Sequence, residues 1–424
     1  LYNQELTDQQ LWEAGNKLGI KLVRYDDTML DEMLDQLEKA VETRDKWGFA
    51  TKVRSLTPPE RAFIKNERLV CKYDFRYYFT RYCHTLIKLE DHPVIISRVK
   101  EPLVPQEMFM EYLARKEKSI VEAQRRGEPV DGFLVLCCKA RQEGYTTMSR
   151  ALTTHRVFFW EDSRALAASI DETMVQELYD RDHEIYDHLP WWLKPSIEYD
   201  AKNIHLTFGK MGSKILYAQA TQKGGLGMGK TIPINHITEL GNWDINTTQG
   251  QAGSESIFLD LEPTWPQSPE TLVIMESTSN GRGNTWHQTV TASREGRTRY
   301  DVLFCPFYAE PRHNRKQPPL GWEPLPRTKQ MIETAERTSA SYMFGKKVTI
   351  AKEQAYWWES EYEAKRQLGR TAYFLTNYPT TLEESFQVSG NRAFDVETID
   401  ALRAGIVGGI PYNFQNTQAV GRIQ

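Results

Sequence analysis

No run of roughly 18 apolar residues occurs in the 424-residue sequence, so no segment reads as a membrane-spanning helix. Cysteine is scarce. The five present (Cys71, Cys83, Cys137, Cys138 and Cys305) show no C-x-x-C or metal-ligand spacing, which excludes a zinc ribbon and fits a reduced cytosolic setting. The histidines His155, His183, His188, His205 and His236 lack metal-ligand spacing and read as surface or packing residues. An excess of one charge is also missing. Lys and Arg number 53 against 57 Asp and Glu, a formal net charge of −4, so no global field draws nucleic acid and any DNA contact needs a local patch or a partner. The sequence opens at Leu1 without a methionine or a signal-peptide pattern, which reads as a numbering that starts inside a longer gene product.

What is present is a folded, aromatic-rich composition long enough for two to three domains. The organising stretch is Phe133-Leu-Val-Leu-Cys-Cys-Lys-Ala-Arg-Gln-Glu-Gly-Tyr-Thr-Thr147. Its apolar start from Phe133 to Cys138 predicts a fully buried strand. Gly144 to Thr147 then opens a segment, Met148 to Phe159, of helical character. A strand, a glycine turn and a helix form the frame of a phosphate-binding loop, in which backbone N–H groups and a helix N-terminus face an anion. Tyr145 stands where such loops usually carry lysine, but Lys139 and Arg141 lie at the front of the loop and can reach over the phosphates. A rival, Gly224-Gly-Leu-Gly-Met-Gly-Lys-Thr231, satisfies G-x-x-x-x-G-K-[ST] letter for letter. It is followed by Ile-Pro-Ile-Asn-His-Ile-Thr, whose proline and β-branched residues predict a strand, not the helix a phosphate cradle requires. The imperfect match is therefore read as the loop and the perfect one as a decoy.

Along the chain, residues 1 to about 70 read as helical, with an apolar stripe over Asp27 to Thr43 and a helix start at Thr57-Pro-Pro-Glu60. Asp74 to His92 mixes Tyr, Phe and His with Arg76, Arg81 and Lys88; it reads as a half-buried helix, with base stacking as the alternative. Gln106, just past Pro105 at a helix start, has an amide able to hold an adenine edge. Arg156 to Trp160 is expected as a second strand and Ser163 to Leu189 as a long helix. A hairpin is expected from Ile204 to Phe208 and Lys214 to Ala220, and further strands at Ile232 to Glu239, Leu272 onward and Arg299 to Phe304. Helices follow at Thr328 to Tyr342 and Ala351 to Leu368, and the glycine-bearing tail reads as a linker. This alternation predicts an α/β fold, a mainly parallel doubly wound sheet with ligands at the carboxyl ends of its strands. The polar endings at Lys139–Thr147, Thr238–Glu239 and Ser277–Asn280 all fall at such ends.

Hydrolysis of ATP needs a phosphate cradle, a cation on the developing charge, a magnesium ligand and a group that orients water. Ala140, Gln142, Glu143, Gly144 and Tyr145 belong to the loop that would supply the cradle, and Lys139 or Arg141 the charge. The hydroxyl of Thr146, or of Thr147, suits Mg²⁺. Glu239 ends an apolar strand and suits the water-orienting role, with Thr238 before it where an aspartate is common. Ser277, Thr278 and Asn280 can sense the γ-phosphate.

These stretches resemble the large terminase subunit, the DNA-packaging motor ATPase of tailed bacteriophages. Lys139 to Thr147 is similar to that family's lysine-first Walker A loop, and Leu103-Val-Pro-Gln106 to its adenine-binding motif. His236-Ile-Thr-Glu239 followed by Trp243 resembles its Walker B, and Ile274 to Asn284 its coupling motif. Tyr378 to Phe386, with Ser389, Gly390 and Phe394, looks like the stretch that closes its ATPase half. The resemblance covers roughly residues 100 to 395 and implies a RecA-like ASCE P-loop ATPase using ATP and Mg²⁺. Implied divisions are a helical N-terminal extension (1–95), an ATPase core (96–320), a helical lid (321–395) and a linker (396–424) toward a nuclease domain not seen in this chain. Implied partners are double-stranded DNA, a portal protein, a small terminase subunit and further copies in a ring, in the host cytoplasm at the procapsid portal vertex. Lys230 stands in the stretch where the family often places a trans-acting arginine, and Thr146, Thr238 and Glu239 where it binds metal. The alternatives are a helicase or other translocase with the same core, or a non-catalytic nucleotide-binding assembly protein.

Overall fold

The computed structural model describes residues 7–18, 21–46, 48–87, 95–198, 205–219, 231–243, 258 and 260–387. The letter-perfect glycine motif up to Lys230 and the expected linker after residue 395 lie outside the described residues.

The N-terminal part holds α1 (Asp8–Leu18), α2 (Asp27–Glu38), a hairpin of β1 (Val41–Arg44) and β2 (Ala50–Val53), then α3 (Pro58–Tyr73) and α4 (Phe75–Tyr82). Helix α3 starts as its sequence dictates: Thr57 accepts from the Glu60 N–H while Glu60 accepts from the Thr57 N–H, a reciprocal cap. The aromatic-rich α4 is a packed helix. Tyr78 and Phe79 are fully buried, Arg76 pairs with Glu107, and Arg81 with Asp27. A second hairpin, β3 (His84–Ile87) and β4 (Ile95–Arg98), leads to α5 (Val104–Arg125).

The central unit runs β5 (Phe133–Lys139), α6 (Tyr145–Phe159), β6 (Arg164–Ser169), α7 (Glu172–Asp187), β7 (His205–Phe208), β8 (Ser213–Gln219), β9 (Ile234–Thr238), β10 (Leu272–Ser277), α8 (Thr285–Arg294) and β11 (Asp301–Cys305). The seven strands form one sheet in the order β11-β5-β10-β9-β6-β8-β7, parallel throughout except for the β7–β8 hairpin. Every residue of β5, β9 and β10 is buried, as a sheet covered on both faces requires. Alternate residues of β5 serve opposite faces: Phe133, Val135 and Cys137 join the core with α6, whereas Leu134, Leu136 and Cys138 join the core with Trp243 and Trp286. Four helices follow, α9 (Pro326–Tyr342), α10 (Lys352–Gln367), α11 (Thr371–Asn377) and α12 (Leu382–Ser385). Trp357 of α10 packs against Phe307 just past β11, which ties these helices to the sheet.

The α/β, mainly parallel architecture matches the sequence expectation. Its order is that of the ASCE class, because one strand, β10, stands between the loop strand β5 and β9. The stripe expected as helix to Thr43 leaves helix at Glu38 and enters β1, and the aromatic stretch expected as one helix from Asp74 to His92 leaves helix at Tyr82 and enters β3. Two further expectations are corrected. Arg156 to Trp160 is not the second strand; it is the end of α6, followed by its cap. That helix is buried without a break from Met148 to Phe159, so it has no amphipathic period to betray it, and Val157-Phe158-Phe159 imitates a strand. The second strand is β6, whose alanines favour helix in isolation but fit here between ladders on both sides. The long helix expected from Ser163 therefore starts only at Glu172, where the Asp171 side chain accepts from the Met174 N–H.

Candidate functional site

The parallel register brings three strand ends together. Glu276 of β10 pairs with Thr238 of β9 and with Cys137 of β5, so Lys139, Glu239 and Ser277 emerge at one edge. From Lys139 the chain turns under the sheet's carboxyl ends: the Ala140 N–H donates to the Cys305 carbonyl at 2.9 Å, and the Arg141 N–H to the Asn377 carbonyl at 3.0 Å. Gln142 (φ +65°) and Gly144 (φ +71°) take left-handed backbone, and α6 begins at Tyr145. The loop thus has the strand–turn–helix form a phosphate cradle needs. A Cβ at Gly144 would lie 2.8 Å from Gln106 Nε2 and 2.9 Å from Leu103 Cδ1, so any side chain there would strain the backbone and push those two side-chain ends aside.

Gln106 is buried and both amide atoms are engaged within the chain. Its Oε1 accepts from the Leu103 N–H at 2.9 Å, and its Nε2 donates to the Gly144 carbonyl at 3.1 Å. It fastens the start of α5 to the loop. Tyr145, in the position of the expected lysine, is buried and packs against Phe109. Glu143 is buried as well. Burial, reinforced by the Glu310 charge, pushes its carboxyl well above the ordinary range.

Lys139 is buried, and its ammonium lies 3.5 Å from Glu239 Oε1. Burial alone would lower its pKa, but the Glu276 and Glu239 charges outweigh burial and raise it, so the lysine stays charged. Arg141 turns away from this pair and donates through Nε to Asn377 Oδ1 at 2.6 Å, on α11. Glu239 sits in left-handed backbone (φ +57°), with its N–H on the Glu276 carbonyl at 2.7 Å. Its Oε2 accepts from Asn242 Nδ2 at 2.7 Å and from Thr278 Oγ1 at 3.5 Å. Asn242 Oδ1 in turn accepts from Asn280 Nδ2 at 2.7 Å, which joins the two carboxyl-end loops. Ser277 accepts from the Gly241 N–H at 2.9 Å. The expected Ser277, Thr278 and Asn280 thus contact the segment that carries Glu239.

The residue sequence reasoning missed is Glu276. It is fully buried, and its Oε1 accepts from Thr146 Oγ1 at 2.6 Å, His236 Nε2 at 3.1 Å and Thr238 Oγ1 at 3.2 Å. Burial opposes its charge, yet the Lys139 charge and the His236 and Thr146 hydrogen bonds hold its pKa down at about 2. His236, read from sequence as a packing residue, is part of this assembly. Its Nδ1 lies 3.4 Å from Arg150 Nη1, and since a guanidinium can only donate, the imidazole carries its proton on Nε2, toward Glu276. Burial lowers the His236 pKa and keeps the ring neutral. Arg150 is locked in a buried ion pair with Asp182, which also accepts from Tyr217. A carboxylate in an otherwise apolar buried strand was the available sign, because charged residues are rarely buried without a task.

Of the two candidate hydroxyls, Thr146 faces the carboxylates. Thr147 instead lies 3.4 Å from Thr85 Oγ1 and 3.5 Å from Arg181 Nη1. Among the described residues no group of three or more His, Cys, Asp or Glu side chains forms a metal cage. Magnesium does not need one, since one or two protein oxygens together with phosphates suffice. Lys230, the expected trans-acting cation, lies outside the described residues. Among those residues no helix is long and apolar enough to cross a membrane.

No protein-family model matches the sequence, and no curated protein matches it. Among solved structures, the large terminase of bacteriophage HK97 aligns over 72% of this chain and 53% of its own, with a TM-score of 0.41 and 9% identity. Two structures of the large-terminase ATPase domain of Thermus phage P74-26, one of them a point mutant, align over 41% of this chain and 76% and 75% of theirs, each with a TM-score of 0.32 and 12% identity. The chain thus spans about half the length of the HK97 protein.

Proposed function

We propose that this chain is the ATP-hydrolysing motor portion of a viral terminase, which drives double-stranded DNA into a procapsid. The observation that carries the reading is the convergence of Lys139, Thr146 and Glu239 at the carboxyl ends of β5 and β9, with the helix α6 starting directly after the glycine turn. The loop N–H groups and the α6 N-terminus bind the phosphates, Lys139 sits against the transferred phosphoryl group, and Glu239 orients the attacking water. Thr146, Thr238 and Glu239 are the residues that would hold Mg²⁺, and the buried, unpartnered Glu276 Oε2 fits a site with room for one more polar contact. When bound, the ion would supply neutralisation of phosphate charge. Asn242 and Asn280 carry the position of Glu239 to the loop after β10. In this reading residues 96–320 form the ATPase core, 321–395 the lid and 1–95 an extension. Portal, small subunit and ring neighbours are its partners at the portal vertex in the host cytoplasm, and Lys230 reaches a neighbour's nucleotide.

The test is nucleotide binding by calorimetry and turnover with and without double-stranded DNA. Lys139→Ala should abolish binding, whereas Lys230→Ala should leave it intact. Glu239→Gln should bind ATP normally and lose turnover by about 100-fold or more. DNA affinity should fall steeply with added salt. Binding that survives Lys139→Ala but not Lys230→Ala would move the cradle to the glycine-rich stretch and end this reading.

A further inference from the structure

In phosphate-loop enzymes the loop's Ser or Thr hydroxyl and the aspartate of the Walker B strand hold magnesium together. Here β9 offers no carboxylate beside the loop hydroxyl, because the residue before Glu239 is Thr238. The structure places one there from a different strand. Glu276 lies directly across the β10–β9 ladder from Thr238, and its Oε1 takes the Thr146 hydroxyl proton at 2.6 Å.

We infer that Glu276 is the carboxylate of the magnesium site, supplied by β10 in place of the aspartate that β9 lacks. The inference rests on the nucleotide reading above and deepens it. Three features of the site support it. Because Thr146 donates its proton to Glu276, the lone pairs of its Oγ1 are left for a cation. The hydrogen bonds of Glu276 are lopsided: Thr146, Thr238 and His236 all donate to Oε1, while Oε2 is buried with no partner among the described residues. A fully buried carboxylate of purely structural purpose would divide such donors between both oxygens, since an unmet acceptor is costly. The carboxylate is also fixed from behind. His236, held by Arg150 and through it by Asp182, presents a donor to Glu276 Oε1 and so anchors that oxygen away from Oε2.

The decisive experiment measures metal dependence, not turnover. Binding of a non-hydrolysable ATP analogue is followed by calorimetry in Mg²⁺ and in EDTA, and Mn²⁺ retention by electron paramagnetic resonance. Wild type should bind more tightly with Mg²⁺. Glu276→Gln should lose most of that gain, about tenfold or more in the ratio of Mg²⁺ to EDTA affinity, and release Mn²⁺. Thr238→Asp combined with Glu276→Gln moves the carboxylate back to β9 and should restore the metal-dependent gain. A purely structural Glu276 would give no such rescue. On unmodified protein with the analogue bound, Fe²⁺ with ascorbate should cleave the backbone near residues 276–278 as well as 145–147; cuts at the loop alone would overturn the inference, and this measurement requires no variant to fold. Equal metal dependence in wild type and Glu276→Gln would refute the Glu276 assignment and leave the nucleotide reading standing. Failure of wild type to bind the analogue at all would end both.

Discussion

The ammonium of Lys139 lies 3.5 Å from Glu239 Oε1, although a whole strand, β10, separates the two strands that carry them. The side chains meet because both project from carboxyl ends over the end of β10, where Glu276 adds a second negative charge. Without nucleotide, the cation that would face the phosphate is therefore spent on neutralising two buried or half-buried carboxylates.

Replacing this lysine should reveal that debt. Lys139→Met leaves Glu276 buried with no counter-charge, a change that costs about 3 kcal/mol. Without the lysine the carboxyl of Glu276 rises above its unfolded value, so the native state binds an extra proton as pH falls. The deficit relative to wild type should then shrink from pH 8 toward pH 5. Thermal unfolding of both proteins at the two pH values checks it; a deficit independent of pH would mean that Lys139 does not neutralise Glu276.

Much of this arrangement is legible in the sequence. The loop strand, the hairpin of β7 and β8, and strands β9, β10 and β11 are short apolar runs closed by polar turns, and the sequence marks them plainly. What it hid follows a common cause. Helix α6 is buried all round, so its C-terminal Val157-Phe158-Phe159 carries no helical period, and β6 is built from alanine. Both are decided by neighbours, not by local preference. Glu276 was hidden for the same reason. Its role depends on a cross-strand partner 38 positions away, Thr238, and on a hydroxyl 130 positions away, Thr146.

Gly144 offers a test of the loop's geometry against a matched control. Gly144 and Gly127 share φ +71°, but a Cβ at Gly127 meets nothing within 4 Å, whereas at Gly144 it strikes Gln106 and Leu103. Gly127→Ala should cost only the left-handed strain, about 1–2 kcal/mol. Gly144→Ala should cost more, displace the Gln106 amide from the Gly144 carbonyl and abolish nucleotide binding. Denaturant unfolding and calorimetry on the two variants would decide, and equal costs with binding intact would show that the close approach is unimportant.

A second buried carboxylate, far from the site, sets a pH dependence of the fold. Burial raises the pKa of Glu67 to about 7, although Tyr82, Tyr77 and Asn66 all donate to it. The groups around it, Tyr25, Tyr77, Tyr82 and Cys71, are all neutral near pH 7, because burial pushes each of their pKa values upward. A carboxyl whose folded pKa exceeds its unfolded one holds its proton longer in the native state. Stability is therefore lost as pH rises from the unfolded value through about 7, by up to roughly 3 kcal/mol. Glu67→Gln should gain on wild type between pH 5 and pH 8 in thermal unfolding. A constant difference across that range would show that Glu67 titrates normally.

Asn242 is the bridge between Glu239 and the loop after β10, and its chemistry can be inverted with one atom. Its Nδ2 donates to Glu239 Oε2 and its Oδ1 accepts from Asn280, both at 2.7 Å. In Asn242→Asp the carboxylate still accepts from Asn280, but when ionised it opposes Glu239 instead of holding it. When protonated it can donate again. Turnover of this variant should fall about 10- to 100-fold at pH 8 and recover in part toward pH 6, whereas Asn242→Ala should be impaired across the range. Affinity for ATP should change less than about twofold in either, since neither touches the phosphate loop. A kcat–pH profile for Asn242→Asp that runs parallel to wild type would show that the amide does not aim the carboxylate. A profile rising only on the acid side would identify hydrogen-bond donation to Glu239 as the property that matters.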